Sequence, residues 1–250
     1  MPRRHDHDAG GPADLLAAKA RLREQVWAAM SVKGIVRFPS PENRIPNFVG
    51  AEAAAERLAD TPQWRRAHTV KSNPDSPQLP VRVRALDDGK LLYMAVPRLA
   101  ERDPFFVLDP ARLADPPRKA ASIKGAARSA RTVGFDAMEP VDLVVTGCVA
   151  VGEDGARLGK GGGFSDLELA LAGAAGLVDA KTVVVTTVHD VQVQPAGVIP
   201  TARHDIRVDL IVTPTRVVKC PRGRSRLPLL DPSLLTPEKI ASIPLLGRLL

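Results

Sequence analysis

A chain of 250 residues, 44% hydrophobic and 25% charged, can bury one sizeable core and has ordinary globular composition, and no apolar run in it approaches the roughly 20 residues that span a bilayer. Its first eleven residues are polar and lack a signal-peptide core, and two cysteines, Cys148 and Cys220, cannot build a disulfide framework, so a reducing, cytoplasmic setting is expected. The net charge of +7 attracts anionic partners of any kind, but 4% aromatic content with a single tyrosine, Tyr93, argues against a base-stacking nucleic-acid platform.

Residues 1–11 are rich in Arg, His, Asp and Gly and read as a disordered leader; His5 and His7 belong to it rather than to a metal tract. Asp14 offers an N-cap for a helix over 15–30, where Leu15, Leu16, Leu22, Val26 and Met30 recur at near-helical spacing. Lys19, Arg21 and Arg23 fall on its polar side. Pro39, Pro41 and Pro46 make residues 37–47 an extended connection, and a second helix is expected over 51–60. Runs at 81–85 and 90–96 flank the turn signal Asp87-Asp88-Gly89 and read as a strand pair or neighbouring strands, and 104–117 reads as loop. Trp27 and Trp64, at helical apolar positions, are expected in the core or an interface.

The second half is more regular. Residues 142–151 are almost uninterruptedly apolar, as in one strand buried on both faces, and Cys148 within it reads as a small buried hydrophobe. A helix is expected over 166–175 and further strands at 182–188, 209–213 and 216–218. Strand, loop, helix, strand is the alternation of a three-layer α/β sheet with ligands at the strand carboxyl ends. His189-Asp190 and His204-Asp205 read as loop caps, with a substrate contact or proton relay as the other reading and no motif for a metal centre. Beyond 218 come a basic, turn-rich stretch at 219–226 and an apolar tail at 227–250, expected to dock on the domain or a partner subunit. Cys220, beside Lys219 and Arg222, is a candidate for a lowered thiol pKa. The expected organisation is a leader at 1–11, one α/β domain at 12–218, and a linker and tail at 219–250.

The segment that carries chemistry is Gly155-Ala156-Arg157-Leu158-Gly159-Lys160-Gly161-Gly162-Gly163-Phe164-Ser165-Asp166. Glycines at 159, 161, 162 and 163 permit positive φ and close approach of backbone N–H groups to an anion. Arg157 and Lys160 add positive charge, and the helix expected from Asp166 points its dipole at the same spot. The loop has neither the Gly-Lys-Ser/Thr ending of a Walker A motif nor dinucleotide-binding spacing. By composition alone it fits a phosphate-binding loop and a flexible surface hairpin equally well.

The same stretch, with Asp142-Leu143-Val144-Val145 before it, resembles the signature of the 5-formyltetrahydrofolate cyclo-ligase (methenyltetrahydrofolate synthetase) family. Lys19-Ala20-Arg21-Leu22-Arg23 resembles that family's N-terminal motif and Val208-Asp209 its closing one, so the likeness runs from about residue 15 to about 218. Arg44-Ile45-Pro46-Asn47-Phe48, Asp166-Leu167-Glu168 and the two His-Asp pairs look most like the family's divergent methenyltetrahydrofolate synthetase domain-containing group. The resemblance implies an α/β fold, a three-layer αβα sandwich, Rossmann-like (NagB/RpiA/CoA-transferase-like), with a mostly parallel sheet. It implies an ATP-dependent ligase that activates the formyl oxygen of a reduced folate by phosphorylation, with ATP and Mg²⁺ required. By the same resemblance Lys19, Arg23, Arg157, Gly159, Lys160, Gly161, Gly162, Gly163 and Ser165 hold ATP. Lys160, Gly161, Gly162, Gly163 and Phe164 border the folate, Arg157 and Lys160 assist the chemistry, and Asp166 and Asp209 match the magnesium ligands. The family's tandem tyrosines are Phe164 and Ser165 here, and its acidic pair aligns with Asp75 and Ser76. The partner implied is a small-molecule formyl folate or a close relative, on a monomer or homodimer, with nucleic acid and membrane not expected. The alternative is a nucleotide- or RNA-binding protein that keeps the fold without turnover.

Overall fold

The structure is a computed structural model that describes residues 11–99, 101–202, 204–221, 235–244 and 246. The expected leader up to residue 10 and the basic run at 222–226 lie outside the described residues.

Helix α1 spans Pro12–Val32. It opens at Pro12, whose fixed φ suits the first helical turn, with Gly11 as the cap, so Asp14 sits in the first turn rather than capping it. A loop follows, pinned at its neck by a bridge between Val36 and Phe48 and containing a cis Phe38–Pro39 bond. Next come α2 (Ala51–Ala59), α3 (Pro62–Arg66), β1 (Thr69–Ser72), α4 (Leu79–Asp87), β2 (Leu91–Ala95) and β3 (Phe105–Leu108). Helices α5 (Pro117–Ala120) and α6 (Ile123–Ser129) lead to β4 (Arg131–Val133), β5 (Leu143–Val145), β6 (Ala150–Gly152) and β7 (Arg157–Leu158). Helix α7 (Phe164–Ala174), β8 (Val183–Thr187), β9 (Val193–Gln194), β10 (Leu210–Val212), β11 (Val217–Lys219) and α8 (Pro237–Ser242) complete the order.

Eight strands form the main sheet in the order β11-β10-β8-β5-β1-β2-β3-β4. The central run from β10 to β2 is parallel, and β11, β3 and β4 are antiparallel to their neighbours. Alternation along the strands sends Tyr93, Val144, Val184 and Ile211 to one face, where they meet Leu167, Leu169 and Leu171 of α7. Val70, Leu92, Leu143, Val145 and Val185 point to the other face and meet α2, α3, α4 and α6. This is the expected three-layer α/β sandwich with a mostly parallel sheet. A second, three-stranded sheet, β7-β6-β9, packs with α1 through Leu22, Val26, Trp27 and Met30. Ile243 and Leu246, in the apolar tail, are fully buried in the core on the α7 side. No helix among the described residues is long and apolar enough to cross a membrane.

Three expected elements differ. Residues 81–85 belong to helix α4, not to a strand, because Leu79-Pro80 starts a helix and Gly89, at φ 73°, ends it in the left-handed region. The Asp-Asp-Gly signal is therefore a helix C-terminus rather than a hairpin turn. Residues 142–151 are two strands in two sheets, with the chain leaving the main sheet at Gly147. A Cβ there would lie 2.8 Å from the Gln78 amide oxygen and 2.9 Å from an Ile45 methyl. The continuous apolar run arises because both strands are buried. Residues 104–117 include β3, whose Phe105, Phe106, Val107 and Leu108 are all buried between β2 and β4; prolines frame it but do not interrupt its ladder.

Candidate functional site

A cleft of about 780 Å³ opens beyond the carboxyl ends of β1 and β2. One wall is the glycine-rich loop and the first turn of α7: Gly159, Lys160, Gly162, Gly163, Phe164, Ser165 and Asp166. Residues 73–76, after β1, form a second wall, and the loop before α2 contributes Pro39, Arg44 and Ile45. The loop takes this course because β6 and β7 form a short antiparallel pair, Val151 opposite Arg157, that delivers the chain to the cleft. Gly161 at φ 111° and Gly163 at φ 66° then turn it, Gly163 serving as the N-cap of α7.

Arg157 holds this corner together. Its side chain is buried, one terminal nitrogen donates to the Gly147 carbonyl at 2.8 Å, and the other lies 3.0 and 2.9 Å from the two oxygens of Asp166. Asp166 also accepts the Ile206 N–H at 2.9 Å. Burial works against the Arg157 charge, but the Asp166 carboxylate outweighs it and the guanidinium pKa stands above its usual value. Burial likewise opposes the Asp166 charge, and Arg157 and the Ile206 amide reverse that, holding its pKa below the usual carboxylate range.

From α1, Arg23 donates through Nε to the Gly159 carbonyl at 2.7 Å, and its guanidinium lies beside Gly161. Lys19, one turn earlier, is buried and paired with Asp205 at 2.5 Å, while Asp205 also accepts the Ala202 N–H. Lys160 is half-exposed and reaches Asp75 across the cleft at 3.2 Å. The site residues expected from the sequence therefore gather around one loop, with Lys19, Arg23 and Gly161 behind the cleft-lining set.

Asp209 is the exception. It does not line the cleft; it stands in the sheet at the start of β10, where its Oδ2 accepts the Val184 N–H at 2.8 Å. That carboxylate substitutes for a backbone acceptor, because the preceding residues bend away to pair with Gly155 and Ala156. Among the described residues no group of three His, Cys, Asp or Glu could hold a metal. Of the two expected magnesium ligands, Asp166 lines the cleft with its oxygens engaged by Arg157 and the Ile206 N–H, and Asp209 does not line it.

His189 and Asp190 are loop caps. His189 Nδ1 accepts the Val191 N–H at 3.2 Å, and Asp190 accepts both the Thr213 and Thr215 hydroxyls. Cys220 contradicts its expected lowered pKa: burial, joined by the nearby Asp154 and Asp209, pushes its thiol up to about 12. The flanking cations do not decide this, because the thiol side chain turns into the core.

Sequence reasoning missed three groups. Lys71 of β1 and Glu168 of α7 form an ion pair of 2.6 Å, with side chains 7% and 4% exposed. Asn73 donates to the Ser165 hydroxyl at 2.7 Å. Arg82 of α4 is fully buried and donates to the carbonyls of Asn73, Pro74, Asp75 and Ala121, fixing the wall after β1. Burial draws its pKa down to about 10, with Asp75 opposing, which leaves it charged at neutral pH. One signal was present: Glu168 is a lone acidic residue among Leu167, Leu169 and Leu171. Lys71 gave none until its strand was known.

The loop, the helix it opens and the parallel sheet beneath it define an α/β protein with a glycine-rich cleft at its strand ends. Residues 13–214 match the 5-formyltetrahydrofolate cyclo-ligase family, and the chain belongs to that family. It is 39% identical over 236 residues to the methenyltetrahydrofolate synthase domain-containing protein of Bos taurus, covering 93% of this chain and 62% of that one. The Homo sapiens protein of the same name is 40% identical over 211 residues, covering 83% and 55%. The chain thus spans less than two thirds of these relatives. Among solved structures, Aquifex aeolicus 5,10-methenyltetrahydrofolate synthetase shares the fold, with a TM-score of 0.52 at 21% identity over 87% of this chain and 99% of that one.

Proposed function

We propose that this protein is an ATP-dependent cyclo-ligase that converts 5-formyltetrahydrofolate, or a close N-formyl relative, to the methenyl product. The observation that carries the reading is the loop at 159–163. Gly159, Lys160, Gly162 and Gly163 wall a cleft at the strand carboxyl ends, where such sheets bind ligands, and the loop opens α7 at Gly163. ATP supplies a phosphoryl group to the formyl oxygen and ADP leaves. The neighbouring secondary amine nitrogen, outside the pterin ring, then closes on the formyl carbon and gives up its proton, and the C–O bond breaks to release phosphate.

The chain's own groups position and neutralise rather than attack. Lys160 faces the cleft and takes phosphate oxygens, while Arg23 fixes the loop through the Gly159 carbonyl. Lys19 and Arg157, each paired with a carboxylate, brace the site from behind. Phe164 offers its ring to the folate. Magnesium would enter with the nucleotide phosphates, since Asp209 is engaged in the sheet by the Val184 N–H. The reaction is placed in the cytoplasm, where free cysteines such as Cys148 and Cys220 persist.

Purified protein with Mg·ATP and 5-formyltetrahydrofolate should show the absorbance rise of the methenyl product together with phosphate release. ATP binding by calorimetry without any turnover on formylated folates would favour the second reading, a nucleotide-binding protein that keeps the fold.

A further inference from the structure

The Lys71–Glu168 pair joins β1 to α7 at the wall of the cleft. Glu168 lies one helical turn after Phe164 and Ser165, so the three share a face of α7, and all three line the cleft. Lys71 Nζ also lies 3.4 Å from the Asn73 amide oxygen, and Asn73 in turn donates to Ser165. A polar chain Glu168–Lys71–Asn73–Ser165 therefore runs along the wall, in a face otherwise packed with Tyr93, Val144, Leu167 and Leu171. Stability does not account for it. Removing two charges from water costs about as much as their attraction returns, and apolar residues of similar size would pack there as well.

We propose that Glu168, held by Lys71, is a specificity-determining residue of the substrate half of the cleft, accepting hydrogen bonds from the N–H and amino groups on the edge of a reduced pterin. The inference rests on the cyclo-ligase reading and deepens it. A flat fused ring presents a face and an edge. Phe164 meets the face, and the Asn73, Ser165 and Glu168 side chains offer donors and acceptors to the edge. Adjacent N–H groups on an aminopyrimidinone match the two oxygens of a carboxylate. A ligand without them would leave buried polar groups unmet, which is how such sites reject analogues.

The test uses the full chain with Mg·ATP and 5-formyltetrahydrofolate. The double variant K71M/E168L removes both charges at once and orphans neither, so its melting temperature should stay close to that of the parent. We expect KM for the formyl folate to rise at least about tenfold while kcat falls less and the Kd for Mg·ATP stays within about twofold. An unchanged KM in a folded double variant overturns the inference and leaves the cyclo-ligase reading standing. Should the double variant fail to fold, Ser165→Ala, at the half-buried start of α7, carries the test. Its KM should rise about threefold, and an unchanged value overturns the inference. A parent protein that neither binds nor turns over any formylated folate defeats the cyclo-ligase reading, and the inference with it.

Discussion

Arg157 shows how much a single side chain is asked to do at this site. It ties the departure point of the main sheet, the Gly147 carbonyl, to the first turn of α7 through Asp166. A positive charge near a glycine loop was legible in the sequence; that it is spent on an internal carboxylate was not, because the pairing joins residues nine apart across a turn. Cysteine chemistry is decided in the same way. Cys220 looked activated from its neighbours in sequence, yet the residue is 7% exposed and its thiol pKa raised to about 12, and Cys148 is fully buried with its thiol raised to about 11. An acid whose pKa is raised stays protonated over a wider range, so below pH 9 neither thiol supplies appreciable thiolate. Iodoacetamide at pH 8 should leave both unmodified in the folded protein and alkylate both in 6 M guanidinium, as mass spectrometry would show.

Among the elements, α1 and α4 carry the site without touching most of it. Helix α1 was read correctly from its apolar spacing; its Arg23 turns to the glycine-rich loop, while Lys19 pairs with Asp205. Helix α4 was misread because Val-Arg-Val-Arg alternates like a strand over four residues, too short a window to separate the two periods. Its Arg82 is the clamp on residues 73–75, which form the second wall of the cleft. Arg82→Met should leave these carbonyls without their donor and cost about 3 kcal/mol or more in urea unfolding. ATP-dependent turnover should fall further than ATP affinity, because the wall it holds borders the substrate side. A loss below about 1 kcal/mol would show that the backbone after β1 holds itself.

Across the whole molecule, two cores flank one sheet and a third joins α1 to the small sheet. The tail takes part: Ile243 and Leu246 are fully buried against the α7 side, with Leu235 and Ile240 packed on the same cluster. Ile243→Ala should therefore destabilise the domain by about 2–4 kcal/mol, the range for a truncated core aliphatic. Denaturant unfolding followed by circular dichroism would measure it, and a change within about 0.5 kcal/mol would mean that the tail contributes nothing to the core.

The sequence by itself determined the fold class, the family and the place of the loop, because each is written in local signals: strand-helix alternation, apolar spacing and a run of glycines just after two cations. The tertiary structure alone decided which charges meet. Lys71 with Glu168, Lys19 with Asp205 and Arg82 with the carbonyls after β1 join segments separated along the chain. It also parted Asp166 from Asp209, placing one on the cleft and the other in the sheet. Charge pairing in a buried site depends on distance and desolvation, and neither is defined until the sheet has brought remote segments side by side.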